Sequence, residues 1–148
     1  MRRSTAETLL LPSGALELDR VRIMGILNIT PDSFYDQGRF RHWDDARARA
    51  ETMAAEGAGI IDIGGEKAGP GEPVSIDEEI ERVTPIIEWV RRQLPVIVSV
   101  DTFKAPVARA AIGAGADIIN SIGGFDDPAM RQVAATNGAA VVVMHIQG

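Results

Sequence analysis

A chain of 148 residues, 45% of them apolar, is long enough for one packed domain and too apolar for a disordered segment. Its formal net charge is -6, it has no cysteine, and no basic run exceeds two residues; this excludes a surface that tracks nucleic acid, a disulfide scaffold and thiolate chemistry. The basic start Met1-Arg2-Arg3 leads only to Leu9, Leu10 and Leu11 before Pro12-Ser13-Gly14, too short for a signal-peptide core or a membrane span, so a soluble cytoplasmic protein with no membrane partner is expected.

The first expected element is a small hairpin within Leu9 to Asp19, turning at Pro12-Ser13-Gly14, at the bottom of a barrel or the edge of a sheet. A strand over Arg22 to Asn28 follows, then a helix with Ala46, Ala50, Met53 and Ala54 on one face. That helix runs into Gly57-Ala58-Gly59-Ile60-Ile61-Asp62, a pattern that returns as Gly115-Ala116-Asp117-Ile118-Ile119-Asn120 and as Gly138-Ala139-Ala140-Val141-Val142-Val143. Each reads as a helix-stopping glycine and then a short strand buried on both faces. Between Asp62 and Pro95 a longer helix puts Ile80, Val83, Ile87, Val90 and Leu94 on one face; Ser75 and Glu78 form a capping box at its start and Pro95 ends it. A strand over Val96 to Val100, a helix carrying Val107, Ala110, Ala111 and Ala114, a helix carrying Met130, Val133 and Ala134, and a strand over Ala140 to Met144 complete the chain. This β-α-β-α-β-α-β-α-β order is an α/β layout open to two architectures, a doubly wound sheet or part of a (β/α)8 barrel; a whole barrel needs about 250 residues.

Polar residues stand at or just beyond each expected strand end: Asn28, Asp62 with Glu66, Asp101, Asn120 and His145. Ligands of parallel α/β folds bind at that end, although Asp and Asn also begin loops and cap helices. Asp101 is either a cap for the helix containing Pro106 or a carboxylate that accepts paired hydrogen bonds from an amidine-like edge, and Asn120 supplies both donor and acceptor to a neighbouring mixed edge. The glycine-rich stretches Gly64 to Gly71 and Gly123-Gly124 match no nucleotide motif; the first, with Lys67, is either a phosphate wrap or a surface loop. His145 lacks metal-ligand spacing, and Met144 reads as core or as an apolar wall under a flat ligand.

The string Met24-Gly25-Ile26-Leu27-Asn28-Ile29-Thr30-Pro31-Asp32-Ser33-Phe34 resembles the signature of the dihydropteroate synthase family. Asp62-Ile63-Gly64-Gly65-Glu66, Ser99-Val100-Asp101-Thr102, Ile119-Asn120 followed by Ile122, and Met144-His145-Ile146-Gln147-Gly148 extend the likeness over nearly all the chain from Ile23 onward. The resemblance implies a single pterin-binding domain over residues 1–148 with an N-terminal extension and hairpin over 1–20, the first five strands and four helices of a TIM (β/α)8 barrel. It implies a cytoplasmic, homodimeric transferase, a target of sulfonamides, that joins 4-aminobenzoate to 6-hydroxymethyl-7,8-dihydropterin diphosphate with Mg2+ and releases diphosphate. By the same likeness Asn28 holds the magnesium-diphosphate, Asp101 and Asn120 bind the pterin edge, and Ile122 and Met144 pack against its ring. Asp32, Ser33, Phe34 and Asp36 lie in a mobile loop, Thr30 to Phe40, that closes over aminobenzoate and keeps water from a reactive cation.

Two positions depart from the family's pattern. Where Gly-Gly-Glu-Ser-Thr-Arg-Pro-Gly is usual, this chain reads Gly65-Glu66-Lys67-Ala68-Gly69-Pro70-Gly71, so that Lys67 carries the charge but not the fork of an arginine. That variant is similar to a divergent paralogue branch of the family. The usual Asn-Asp is here Asn120-Ser121. A further pterin-binding aspartate, a lysine and an Arg-x-His segment lie, in the family, beyond the position of Gly148. The alternatives are therefore a non-catalytic pterin or folate binder, a half-barrel that pairs with itself and, against the Asn28 to Phe34 string, a folate-dependent methyltransferase.

Overall fold

Three of the strands begin just after a glycine that only a left-handed backbone can accommodate: Gly57, Gly115 and Gly138 have φ of 103°, 116° and 63°. A residue with a Cβ is strained there, so each helix stops and the chain turns back along the sheet. The computed structural model describes residues 7–29, 39–66 and 72–144, the side chains of 39–42 excepted. Strands β1 (Thr8–Leu11) and β2 (Gly14–Glu17) form an antiparallel hairpin, and β3 (Met24–Asn28), α1 (Arg39–Ala55), β4 (Ile60–Gly64), α2 (Ile76–Gln93), β5 (Ile97–Asp101), α3 (Ala105–Ala114), β6 (Ile118–Ser121), α4 (Pro128–Asn137) and β7 (Ala140–Val143) follow.

The second sheet is entirely parallel in the order β3-β4-β5-β6-β7. A doubly wound sheet reverses its strand order at a switch point, whereas a barrel adds each strand beside the last. Sequential order therefore selects the barrel type, of which these five strands and four helices are a part. The outward residues Leu27, Ile61, Ile63, Val98, Val100 and Ile119 join Val83, Ile86, Ile87, Val90, Val107 and Met130 of the helices in one core. Close packing sets local residue choice there: a Cβ on Gly25 would meet Sδ of Met53 at 2.8 Å.

On the inward face the hairpin closes the N-terminal end. Leu11 and Leu16 are buried against Ile60, Ile118 and Ala140, and the amide of Ser13 donates to Oδ1 of Asp117 at 3.0 Å. Arg91 Nη1 stands 3.6 Å from the other oxygen of Asp117, which is 1% exposed.

Four local expectations change. Ser75 does cap α2, accepting from the amide of Glu78 at 3.2 Å, but the Glu78 carboxylate pairs with Arg82. The capping box is thus half made, because a guanidinium one turn on is the stronger partner. The strand β7 is not buried on both faces: Val141, Val142 and Val143 are 45%, 40% and 58% exposed, since β7 is an edge of the sheet. Finally, β4 continues past Asp62 to Gly64, so Asp62 lies inside the strand, and the expected loop up to Phe40 gives way to helix at Arg39.

Candidate functional site

Parallel register lines up Asn28, Gly64, Asp101, Asn120 and Val142 as one row across the C-terminal end of the sheet. Because side chains alternate along a strand, the row two residues earlier, Ile26, Asp62, Ser99, Ile118 and Ala140, lies beneath it on the same face. The centre of the upper row is a glycine: a Cβ on Gly64 would lie 3.2 Å from Oδ1 of Asn28 and 3.6 Å from Cβ of Asp101. That missing side chain leaves open the space between the amide of Asn28 and the carboxylate of Asp101.

Asp101 is half-buried and its carboxyl is pushed up to about 6, first by desolvation and then by the charges of Asp62 and Glu79. It does not cap a helix, since the N-cap of α3 is Lys104. Asn120 donates from Nδ2 to Oδ2 of Asp62 at 3.0 Å. Asp62 is 3% exposed; its Oδ1, like Oγ of the fully buried Ser99 beside it, has no hydrogen-bond partner among the described residues. Ile122 and Met144, 41% and 45% exposed, follow β6 and β7 and leave apolar surface beside the row.

The loops are tied down from behind. Lys104 Nζ donates to Oε2 of Glu66 at 2.6 Å, to Oε2 of Glu79 at 2.8 Å and to the carbonyl of Val74 at 2.7 Å. Thr102 Oγ1 donates to Oε1 of Glu79 at 2.8 Å, and Arg82 Nη1 to the carbonyl of Gly65 at 2.8 Å. Glu66 thus serves an ion pair, while the rest of the expected phosphate wrap, Lys67 to Gly71, lies outside the described residues.

A family model described as "Pterin binding enzyme" matches residues 24–148. The chain is 50% identical over 136 residues to the dihydropteroate synthase of Bacillus subtilis, covering 90% of this chain and 48% of that protein. It belongs to the dihydropteroate synthase family. Another family member, "Inactive dihydropteroate synthase 2" of Mycobacterium leprae, is 53% identical over 131 residues, 88% of this chain and 45% of that one. The solved dihydropteroate synthase of Xanthomonas albilineans with 4-aminobenzoic acid superposes with a TM-score of 0.88 at 43% identity, over 97% of this chain and 53% of that one. The chain spans about half the length of these dihydropteroate synthases.

Of the residues expected from sequence, Asn28, Asp101 and Asn120 stand in one row, with Ile122 and Met144 on the chain just beyond β6 and β7. Asp32, Ser33, Phe34, Asp36, Lys67 and His145 lie outside the described residues. Asp62, expected among the polar residues at the strand ends, lies inside β4 beneath the row, and the buried Ser99 next to it was not among the expected residues. The signal was available: each is a polar residue in the middle of an apolar strand, Ile61-Asp62-Ile63 and Val98-Ser99-Val100, where an unpartnered polar group is costly.

Proposed function

We propose that this chain forms the pterin-binding half of a dihydropteroate synthase site, in which 6-hydroxymethyl-7,8-dihydropterin diphosphate reacts with 4-aminobenzoate to give 7,8-dihydropteroate and diphosphate. The supporting observation is the row Asn28, Gly64, Asp101, Asn120: an open slot on a rigid sheet, flanked by one carboxylate and two amides. Above its pKa of about 6, Asp101 is an acceptor for the paired N–H groups of a 2-amino ring edge, and Asn120 supplies the complementary donor and acceptor. Ile122 and Met144 offer the apolar contact that a flat ring needs.

The bond broken joins the pterin methylene carbon to the diphosphate oxygen, whose electron pair leaves with the diphosphate. The bond formed joins that carbon to the aminobenzoate nitrogen, which then loses a proton. A sheet-borne slot contributes by fixing the pterin while charge develops at the methylene. Asp32, Ser33, Phe34, Asp36 and Lys67 are the loop residues proposed to cover the second substrate and the diphosphate.

A magnesium ion would offset the charge of the departing diphosphate. Asn28 fits one ligand position, because its Oδ1 faces the space that a Cβ on Gly64 would fill and magnesium takes few protein oxygens beside phosphate and water. Among the described residues no cluster of three or more His, Cys, Asp or Glu could form a cage without substrate.

A second reading, pterin binding without turnover, is favoured by Lys67-Ala68-Gly69 in place of Ser-Thr-Arg. Calorimetric titration of the pterin diphosphate with magnesium, beside an assay for diphosphate release with 4-aminobenzoate, separates the readings. Saturable binding lost in Asp101→Ala supports the site, and release of diphosphate supports the synthase. Binding without release would select the second reading, and a folded chain that binds nothing would remove both.

A further inference from the structure

Asp62 takes no part in the reading above, yet it is deeply buried beneath the slot and bonded to one of its proposed ligand-binding groups. An asparagine side chain has two orientations of nearly equal shape, and its surroundings decide which end is the donor. An ionised carboxylate only accepts. Facing Oδ2 of Asp62 at 3.0 Å, Asn120 must turn its NH2 group inward, since the flipped amide would set carbonyl oxygen against carboxylate oxygen. One N–H is then taken, and the carbonyl oxygen with the second N–H remains for a ligand.

The strands fix the pair. Asp62 and Ser99 are register partners on β4 and β5, and Asn120 lies one level higher on β6, in register with Asp101. Among the described residues neither Asp62 Oδ1 nor Ser99 Oγ has a hydrogen-bond partner, although both are buried at this place. A buried carboxylate bonded through only one oxygen keeps acceptor capacity on the other, which a polar group or a bridging water would satisfy.

We propose that Asp62 is a specificity-determining positioning residue: by holding the Asn120 amide in one orientation it sets the donor and acceptor pattern that the slot offers to a heterocycle. The proposal deepens the pterin reading and rests on it for the identity of the ligand. It acts through Asn120, so it predicts energetic coupling rather than a general loss of structure.

The test combines a ligand-free signal with a double-mutant cycle. In the 15N-labelled chain one side-chain amide proton of Asn120, assigned by its loss in Asn120→Ala, should be shifted downfield and protected from exchange, and Asp62→Asn should remove both properties. An Asn120 amide that exchanges freely in the unmodified chain would overturn the proposal whether or not pterin binds. For binding, the probe is 6-hydroxymethylpterin. Asp62→Asn, which preserves volume, should weaken it roughly tenfold when Asn120 is present and less than about twofold in the Asn120→Ala background. An equal loss in both backgrounds would reduce Asp62 to a structural role. A protected amide in a chain that binds no pterin would support the lock and sink the pterin reading instead.

Discussion

The ammonium of Lys104 lies 2.8 Å from the carboxylate of Glu79, a side chain 1% exposed, and so links the start of α3 to the first turns of α2. The same ammonium holds Glu66 at 2.6 Å, just beyond β4. One cation thereby joins the segments that leave β4 and β5 beside the slot. Lys104→Met should lower the unfolding free energy by about 3 kcal/mol, because it leaves a buried carboxylate uncompensated. Urea titration would show a lower midpoint at unchanged slope; an unchanged midpoint would mean that the pair contributes nothing net. Burial lowers the affinity of Lys104 for its proton, but the bonds to Glu66 and Glu79 outweigh it and the pKa is raised above 10.5. A raised lysine stabilises fully below its unfolded value, so this contribution should persist to about pH 10 and fade as pH climbs through the folded value.

Asp101 has the opposite consequence. Its carboxyl is raised from 3.8 to about 6, so between those values the folded chain holds more protons than the unfolded one. Stability from this group is complete below about pH 4 and is lost as pH rises through 6. Asp101→Asn should flatten that part of the stability profile and raise stability at pH 7. Pterin affinity should move the other way, rising between pH 5 and 7 as the acceptor ionises. Calorimetry at pH 5, 6 and 7 with the unmodified chain measures this, and affinity independent of pH would show that Asp101 binds no ring edge in its ionised form.

Gly64→Ala tests the slot itself. The new methyl would sit 3.2 Å from Oδ1 of Asn28, in a strand position whose backbone any residue adopts. Stability should change by less than about 1 kcal/mol, while magnesium-dependent binding of the pterin diphosphate weakens by at least about tenfold. Gly65→Ala is the control: its methyl would stand 2.9 Å from Val83 Cγ1 and 3.0 Å from Glu79 Cγ, so it should destabilise the fold by about 1–3 kcal/mol.

Asp117→Ala should loosen the N-terminal hairpin, whose turn is held by the bond from the Ser13 amide. The expected cost is about 1–2 kcal/mol, since Ser13 is exposed and its amide can return to water. Hydrogen exchange should quicken at residues 8–17 before it does in β5, and uniform quickening would show the hairpin to be one cooperative unit with the sheet.

Much of the site was legible because its parts are local. Asn28 and Asp101 each close an apolar strand and Asn120 stands one residue from the end of another, and a parallel sheet brings strand ends together whatever the details of packing. Asp62 was misjudged as a strand end because the glycines after it read as loop. In the fold, Gly64 is the last strand residue and occupies the level between Asn28 and Asp101. Glu66 looked available to a ligand because its partner, Lys104, comes from the far side of α2.

The sequence by itself determined the helix stops at Gly57, Gly115 and Gly138, the cap at Ser75 and the alternation of strand and helix, since each depends on steric and hydrogen-bonding effects within a few residues. It left open the choice between a doubly wound sheet and a barrel, which turns on the order in which distant strands pair. Tertiary structure decided that order, exposed the valines of β7 at a sheet edge, and brought Asp62 against Asn120 across 58 residues of chain. No local pattern carries that last contact, because the hydrogen bond forms only when β4, β5 and β6 have stacked in a fixed register.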